Sequence, residues 1–277
     1  MTAPTPAGGR YRAEPVLVEH RGPVAVVTLN RPDRLNAFSP GQAAPLLQAL
    51  SELRESGSCR VVVLTGAGRA FCSGMDLVSG MDLDLPGCGP VQGRYLALER
   101  AAEVFLALRE IPQPVIAAVH GHAVGAGLAL VAMADIRVAD TTARFGPVFT
   151  RRGFSGGDLG ASWWLPRLIG FANAAEMLYT AESFDAHRAL EIGFVTHLAT
   201  EGAHTDTAVD IGERIAVNAP FGVSQTKNLL NAALGIAELR QHMTTEIRTQ
   251  VLCSLTDDVG EGISAALERR APTFSNS

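Results

Sequence analysis

The chain of 277 residues carries 23 Lys and Arg against 28 Asp and Glu, a formal charge of −5, with 47% hydrophobic and 18% charged residues. Those proportions exclude a disordered chain, and mild acidity without a basic block leaves no electrostatic footprint for nucleic acid or an anionic membrane surface. The length suffices for one large domain, or for a main domain with a helical extension.

In chain order, residues 1–15 (MTAPTPAGGRYRAEP) lack the apolar core of a secretory signal and are predicted to form a short flexible tail. Continuous apolar runs at Val24–Leu29 and Val61–Leu64 predict buried strands, with a helix over 41–53 between them. The four cysteines, Cys59, Cys72, Cys88 and Cys253, form no CxxC pair, so reduced thiols in a cytoplasmic enzyme are expected, with neither a metal site nor a disulfide framework. Residues 73–92 are rich in Gly, Asp and Pro and contain SGMDL twice, at 73–77 and 79–83, which predicts a functional loop. Asp82 and Asp84 in that loop are expected to be solvated, since a hard cation needs more ligands than two carboxylates.

Residues 114–134 carry no formal charge over a length that could cross a bilayer. His120, Gly121, His122, Gly125 and Gly127 break the run, so it is predicted to divide into a strand at 114–119, a glycine turn and a buried helix, not a membrane span. A strand at 136–139 follows, and strand–helix alternation implies parallel crossovers. Beyond Asp158 only helices are predicted, at 172–180, 185–192, 206–217, 221–233, through Cys253, and at 262–269. Their apolar faces exceed what one sheet can cover, so a homo-oligomer is expected.

Two glycine turns stand out as chemistry, RAFCSGMDL at 69–77 and HGHAVGAGLAL at 120–130. Both can present backbone N–H groups, and a helix starting near Ala126 would aim its positive end at the same point, which suits an anion or a developing oxyanion. GHAVGAG does not satisfy the dinucleotide fingerprint, and the chain has no phosphate loop, nucleophile elbow or HExxH zinc helix.

LNRPDRLNAF at 29–38, GRAFCSGMDL at 68–77, PVIAAVHGHAVGAGLALVAMADIRVA at 114–139, ARFG at 143–146, LPRLIG at 165–170, AESFDAHRALEIGFV at 181–195 and ERRAPTF at 268–274 together resemble the crotonase family over nearly the whole chain. The resemblance implies an α/β fold, a ββα spiral acyl-CoA-binding core over 16–200, and a C-terminal α-helical trimerisation region over 201–277. A homotrimer or a dimer of trimers follows from it. It also implies that the main-chain amides of Met75 and Ala126 stabilise a thioester enolate. Coenzyme A, as part of the substrate and not a separate cofactor, would lie along Ala70, Ser73 and Asp76, with Arg31, Arg34 or Lys227 available to its phosphates.

The family's hydratases resemble one another in supplying two glutamates, and the matching positions here are Ala129 and Phe149, neither of which can transfer a proton. The carboxylate that remains is Asp158, which can serve as a single acid/base or cap the helix after it. His122 is a further candidate for proton transfer and His120 a weaker one; Trp163 and Trp164 are expected to pack the acyl pocket or the helix beneath it. Cys72 has no histidine close in sequence to activate it. Enoyl-CoA double-bond isomerisation is the leading expectation. The alternatives are a hydratase or thioester hydrolase with water placed by Asp158 or His122, and a silent acyl-CoA-binding protein.

Overall fold

The computed structural model describes residues 14–77 and 87–277; the first thirteen residues of the predicted tail, the whole of the second SGMDL with its Asp82, and Asp84 lie outside them. The chain enters through β1 (Val16–Arg21), which pairs antiparallel with β2 (Val24–Leu29) around a turn at Gly22. Helix α1 (Pro40–Glu55) then crosses over to β3 (Val61–Gly66), parallel to β2, and α2 (Pro90–Glu110) crosses to β4 (Val115–Val119), parallel to β3. Strand β4 is buried at every position and so is β3, because helices cover both faces; this is why their sequences read as unbroken apolar runs.

A short strand, β5 (His122–Val124), leads into α3 (Ala126–Met133), whose eight residues are all buried. Strands β6 (Ile136–Asp140) and β7 (Arg144–Gly146) follow, then α4 (Ala161–Ile169), α5 (Phe171–Thr180), β8 (Phe184–Asp185), α6 (Ala186–Glu191) and β9 (His197–Ala199). The main sheet has the order β1-β2-β3-β4-β6-β9 and a three-stranded sheet the order β5-β7-β8. The strands therefore do not stop at Asp158. Two return after it, each too short to show a period of its own.

Helix α7 (His204–Ala216) closes the chain over the sheet, burying Ala208, Val209 and Ile211 against Val24, Val61, Val63 and Ile116. It is thus part of the core, although it lies inside the predicted 201–277 extension. Helices α8 (Pro220–Ala233), α9 (Leu239–Ser254) and α10 (Asp257–Glu268) bury little: Lys227 in α8, Thr249 in α9, Asp258 and Ala265 in α10. Among the described residues no helix is long and apolar enough to cross a membrane.

Candidate active site

The first glycine turn is fixed by neighbours that local pattern does not announce. Asn36, fully buried with φ +54, donates through Nδ2 to the carbonyls of Ala67 (2.9 Å) and Ala70 (2.7 Å), while its Oδ1 accepts the Arg31 N–H at 2.8 Å. Phe38 then brackets Met75: the Phe38 N–H donates to the Gly74 carbonyl (2.7 Å) and the Asp76 N–H to the Phe38 carbonyl (2.8 Å). In a parallel bridge of this kind the residue between the two bonds points its own N–H the other way. The Met75 amide is therefore left without an acceptor in the described chain.

The second turn is built against the first. Cys72 and the β5 backbone exchange bonds, Cys72 N–H to His122 O and Val124 N–H to Cys72 O, both 2.9 Å. A Cβ on Gly127 would lie 2.3 Å from the Cys72 carbonyl, and one on Gly74 would lie 2.9 Å from the Val124 carbonyl and 3.9 Å from the Ala126 nitrogen. Only bare backbone lets the turns approach this closely. Gly125, at φ +52, starts α3, so Ala126 takes the first helical position and its N–H has no partner within the helix or elsewhere in the described chain. The positive end of α3 adds to its attraction for negative charge.

Met75 and Ala126 both line one cavity of about 400 Å³. The walls are Ser73, Gly74, Met75, Asp76 and Leu77 on one side, Val124, Gly125 and Ala126 on another, Leu98 from α2, and Val148, Phe149, Arg152, Phe154, Ser155, Gly157 and Asp158 opposite. A more apolar cavity of about 320 Å³ between α1 and α2 shares Met75 and Leu98 with it.

Two carboxylates line the main cavity, and their circumstances differ. Asp76 is buried and paired with Arg31 (Nη2 to Oδ2, 2.8 Å); Arg31 also donates through Nη1 to the Ala37 carbonyl and the Ser39 hydroxyl. Asp158 is half-buried and forms no ion pair among the described residues. Burial pushes its carboxyl above the ordinary carboxylate range, only partly offset by the N–H of Leu159. It does not cap α4 with its side chain: Gly160 holds that position, and Asp158 contributes only its carbonyl, which accepts the Ala161 N–H at 2.8 Å. The capping role considered for Asp158 is thus replaced by a chain reversal through Leu159 (φ +47) and Gly160 (φ +82).

At the two glutamate positions, Phe149 forms part of the cavity wall and Ala129 is fully buried within α3. His122 is not brought into the cavity; strand alternation turns it out to solvent while Ala123 goes inward. His120 is buried elsewhere: its Nε2 donates to the Gly68 carbonyl (3.0 Å) and its ring stacks at 4.4 Å on His204, whose Nδ1 lies 3.1 Å from Asp140 Oδ2. Burial, with His120 adding to it, holds His204 below the usual histidine range despite Asp140, so this contact is a hydrogen bond from a neutral imidazole at neutral pH. The Cys72 thiol, fully buried, is pushed up to about 11 by desolvation and is no nucleophile. Neither tryptophan lines the cavity: Trp163 is half-exposed under the Arg167 guanidinium, and Trp164 packs on the core under Arg109.

The residues expected to hold coenzyme A divide as well. Ser73 lines the cavity, whereas Ala70 is buried with its carbonyl taken by Asn36. Arg34 is exposed in the turn at 32–34. Arg31 is spent on Asp76 and the 37–39 backbone, so it ties two turns together and does not reach for phosphate. Lys227 is 5% exposed, with its Nζ on Asp135 (2.9 Å) and the carbonyls of Gln113 (3.0 Å) and Leu108 (3.3 Å). It is an internal clamp and cannot meet a solvated phosphate. Asn36 and Arg152 were the residues that sequence reading passed over.

Comparison with known proteins adds an independent line. The family model described as enoyl-CoA hydratase/isomerase matches residues 19–277. A probable enoyl-CoA hydratase of Mycobacterium bovis is 38% identical over 273 residues, 98% of this chain and 96% of its own. A 1,2-epoxyphenylacetyl-CoA isomerase of Escherichia coli is 34% identical, over 91% of this chain and 95% of its own. Among solved structures, a probable enoyl-CoA hydratase/isomerase from Mycobacterium abscessus superposes with a TM-score of 0.88 at 35% identity, covering 95% of this chain and 99% of the other.

Proposed function

Because the chain belongs to the enoyl-CoA hydratase/isomerase family, we propose that it acts on acyl-CoA thioesters and shifts the double bond of an enoyl-CoA, with Asp158 as the single acid/base. One observation carries this reading: of the two carboxylates in the cavity that holds the unpartnered Met75 and Ala126 amides, Asp76 is bound to Arg31 and Asp158 is not.

The thioester oxygen accepts the two N–H groups. As the Asp158 carboxylate removes a proton from Cα of a 3-enoyl thioester, electron density moves onto that oxygen and spreads through the dienolate to Cγ, and the amides hold the charge on the oxygen. Asp158, now a carboxylic acid, returns the same proton to Cγ, and the double bond lies between Cα and Cβ. No water enters and no atom is lost. Each fixed donor is worth about 10²–10³ in rate, and the proton carrier about 10²–10⁴. Hydration by two glutamates is closed to Ala129 and Phe149. Ser73, in the cavity wall, and the exposed Arg34 remain the candidates to meet coenzyme A, and the apolar faces of α8, α9 and α10 support assembly into a trimer or a dimer of trimers.

The test is product analysis on matched 2-enoyl- and 3-enoyl-CoA substrates in the parent and Asp158→Asn. Interconversion of the two, lost by about a hundredfold or more in the variant while thioester binding persists, is the expected result. Accumulation of 3-hydroxyacyl-CoA without any bond shift would replace the isomerase by a hydratase. Release of free coenzyme A would indicate a hydrolase. No turnover of any thioester, with binding intact, would leave a binding protein.

A further inference from the structure

The mechanism above uses one wall of the cavity for the oxyanion and Asp158 for the proton, and leaves Arg152 unused. Arg152 belongs to the short turn Thr150–Arg152, which has three residues per turn, so Phe149 and Arg152 stand on the same side of it. Both line the cavity, while the neighbouring Arg151 does not. The turn is fixed at several points: Arg152 N–H and Phe154 N–H both donate to the Phe149 carbonyl at 3.0 Å, and the Thr150 hydroxyl donates to the Leu178 carbonyl at 3.0 Å.

The arginines of this chain that face structural carboxylates are engaged with them: Arg31 with Asp76, Arg109 with Asp135, Arg270 with Glu261. Arg152 has no such partner among the described residues, and it forms no ion pair with Asp158 although both border the same space. Arg152 is exposed at the mouth of a cavity whose lining on this side is otherwise largely apolar, Val148, Phe149 and Phe154, so a charged ligand group entering from solvent meets one cation there. Arg152 and Asp158 border one wall, on the 149–158 segment. Whatever reaches Arg152 therefore lies beside the carbon chain on which Asp158 acts.

We propose that Arg152 receives a second carboxylate carried by the acyl group, so that the preferred substrates are short enoyl-CoA thioesters with a distal carboxylate. The inference rests on the acyl-CoA reading above and names the substrate class of that site. A planar guanidinium matches a carboxylate with two parallel N–H bonds, and a plain hydrocarbon tail would leave it unmatched. A neutral tail has the apolar cavity between α1 and α2 to enter instead, which makes the choice measurable.

The experiment compares kcat/KM for 3-heptenoyl-CoA with that for the mono-CoA thioester of 3-heptenedioic acid, in the parent, Arg152→Gln and Arg152→Lys, with Arg151→Gln as control. The parent should favour the dicarboxylic substrate by about tenfold or more. That ratio should collapse in Arg152→Gln, recover in part in Arg152→Lys, and persist in Arg151→Gln. Equal loss on both substrates in Arg152→Gln, with weaker binding of free coenzyme A, would make Arg152 a phosphate contact and overturn the proposal; so would a parent ratio near one. Calorimetric binding of heptanoyl-CoA against the mono-CoA thioester of heptanedioic acid, neither of which can isomerise, reads the same ratio. If turnover is absent but this binding preference depends on Arg152, the isomerase reading fails and the carboxylate site stands.

Discussion

A carboxylate that must take a proton from carbon and give it back is better served by a raised proton affinity than by a solvated one, and burial supplies that to Asp158. The sign of the consequence is fixed. Only the ionised form can accept the proton, so kcat/KM should fall as pH drops through a value above the ordinary carboxylate range, and a pH–rate profile should lose that acid limb in Asp158→Asn. A folded-state pKa above the unfolded one also means that the stability this group allows is fully present below the unfolded value and is lost as pH rises through the folded one. At neutral pH the ionised Asp158 therefore opposes folding, and Asp158→Asn should melt about one or two degrees higher than the parent while losing about a hundredfold or more of its activity. A lower Tm together with an unchanged acid limb would remove Asp158 from the mechanism. At this scale the sequence was least legible. Arg31 and Lys227 show their charge in the sequence but not what they face. Their partners, Asp76 and Asp135, lie 45 and 92 positions away, and only folding reveals that both cations are spent inside the chain.

At the scale of elements, the proposed oxyanion site is a contact between two turns, and its geometry depends on a glycine at their crossing. Gly74 sits at φ +99 with room for no Cβ, since one would lie 2.9 Å from the Val124 carbonyl, next to Ala126. Gly74→Ala has to widen the gap between the turns, and the Met75 and Ala126 amides then cease to converge. We expect kcat to fall by about a hundredfold, with a stability loss of about 1–3 kcal/mol from the strained backbone, measured by steady-state kinetics and urea unfolding on one preparation. Full activity with the same stability loss would show that these amides do not act together. The turns were visible in the sequence because glycine, small residues and a following apolar helix are local signals. So were β3 and β4, whose burial on both faces leaves an unbroken apolar run. Helix α2 was not: its buried residues are Gly93, Ala101, Val104, Phe105 and Leu108, so its first half carries almost no apolar period. Strands β5, β7, β8 and β9 have three residues or fewer, too few for any alternation to register.

Over the whole molecule, apolar surface is distributed unevenly, and the imbalance lies in the last three helices. Helix α7 buries five residues on or beside the sheet, while α8 and α9 bury one each. Leu230, Leu239, Ile247, Leu255, Ile263 and Leu267 are each more than half exposed, Leu267 at 81%, and Val251 and Leu252 lie between Ile247 and Leu255 on α9 at 55% and 54%. Single exposed leucines are ordinary, but a succession of them over three adjacent helices is not what an isolated soluble chain presents. Covering this surface with the same surface of other copies removes it from water at about 25 cal/mol per Å², and closed symmetry limits the assembly to a small number of copies. The trimer or dimer of trimers that the family resemblance implies would use this surface, and sedimentation equilibrium should then report three or six times the chain mass of 29.2 kDa. Leu252→Glu with Leu255→Glu should shift the species toward the monomer and lower Tm, because the charges must be desolvated at the contact while the sheet core, sealed by α7, is untouched. A parent chain that sediments as a monomer at micromolar concentration would mean that these helices meet something other than themselves, and the trimer would have to be given up.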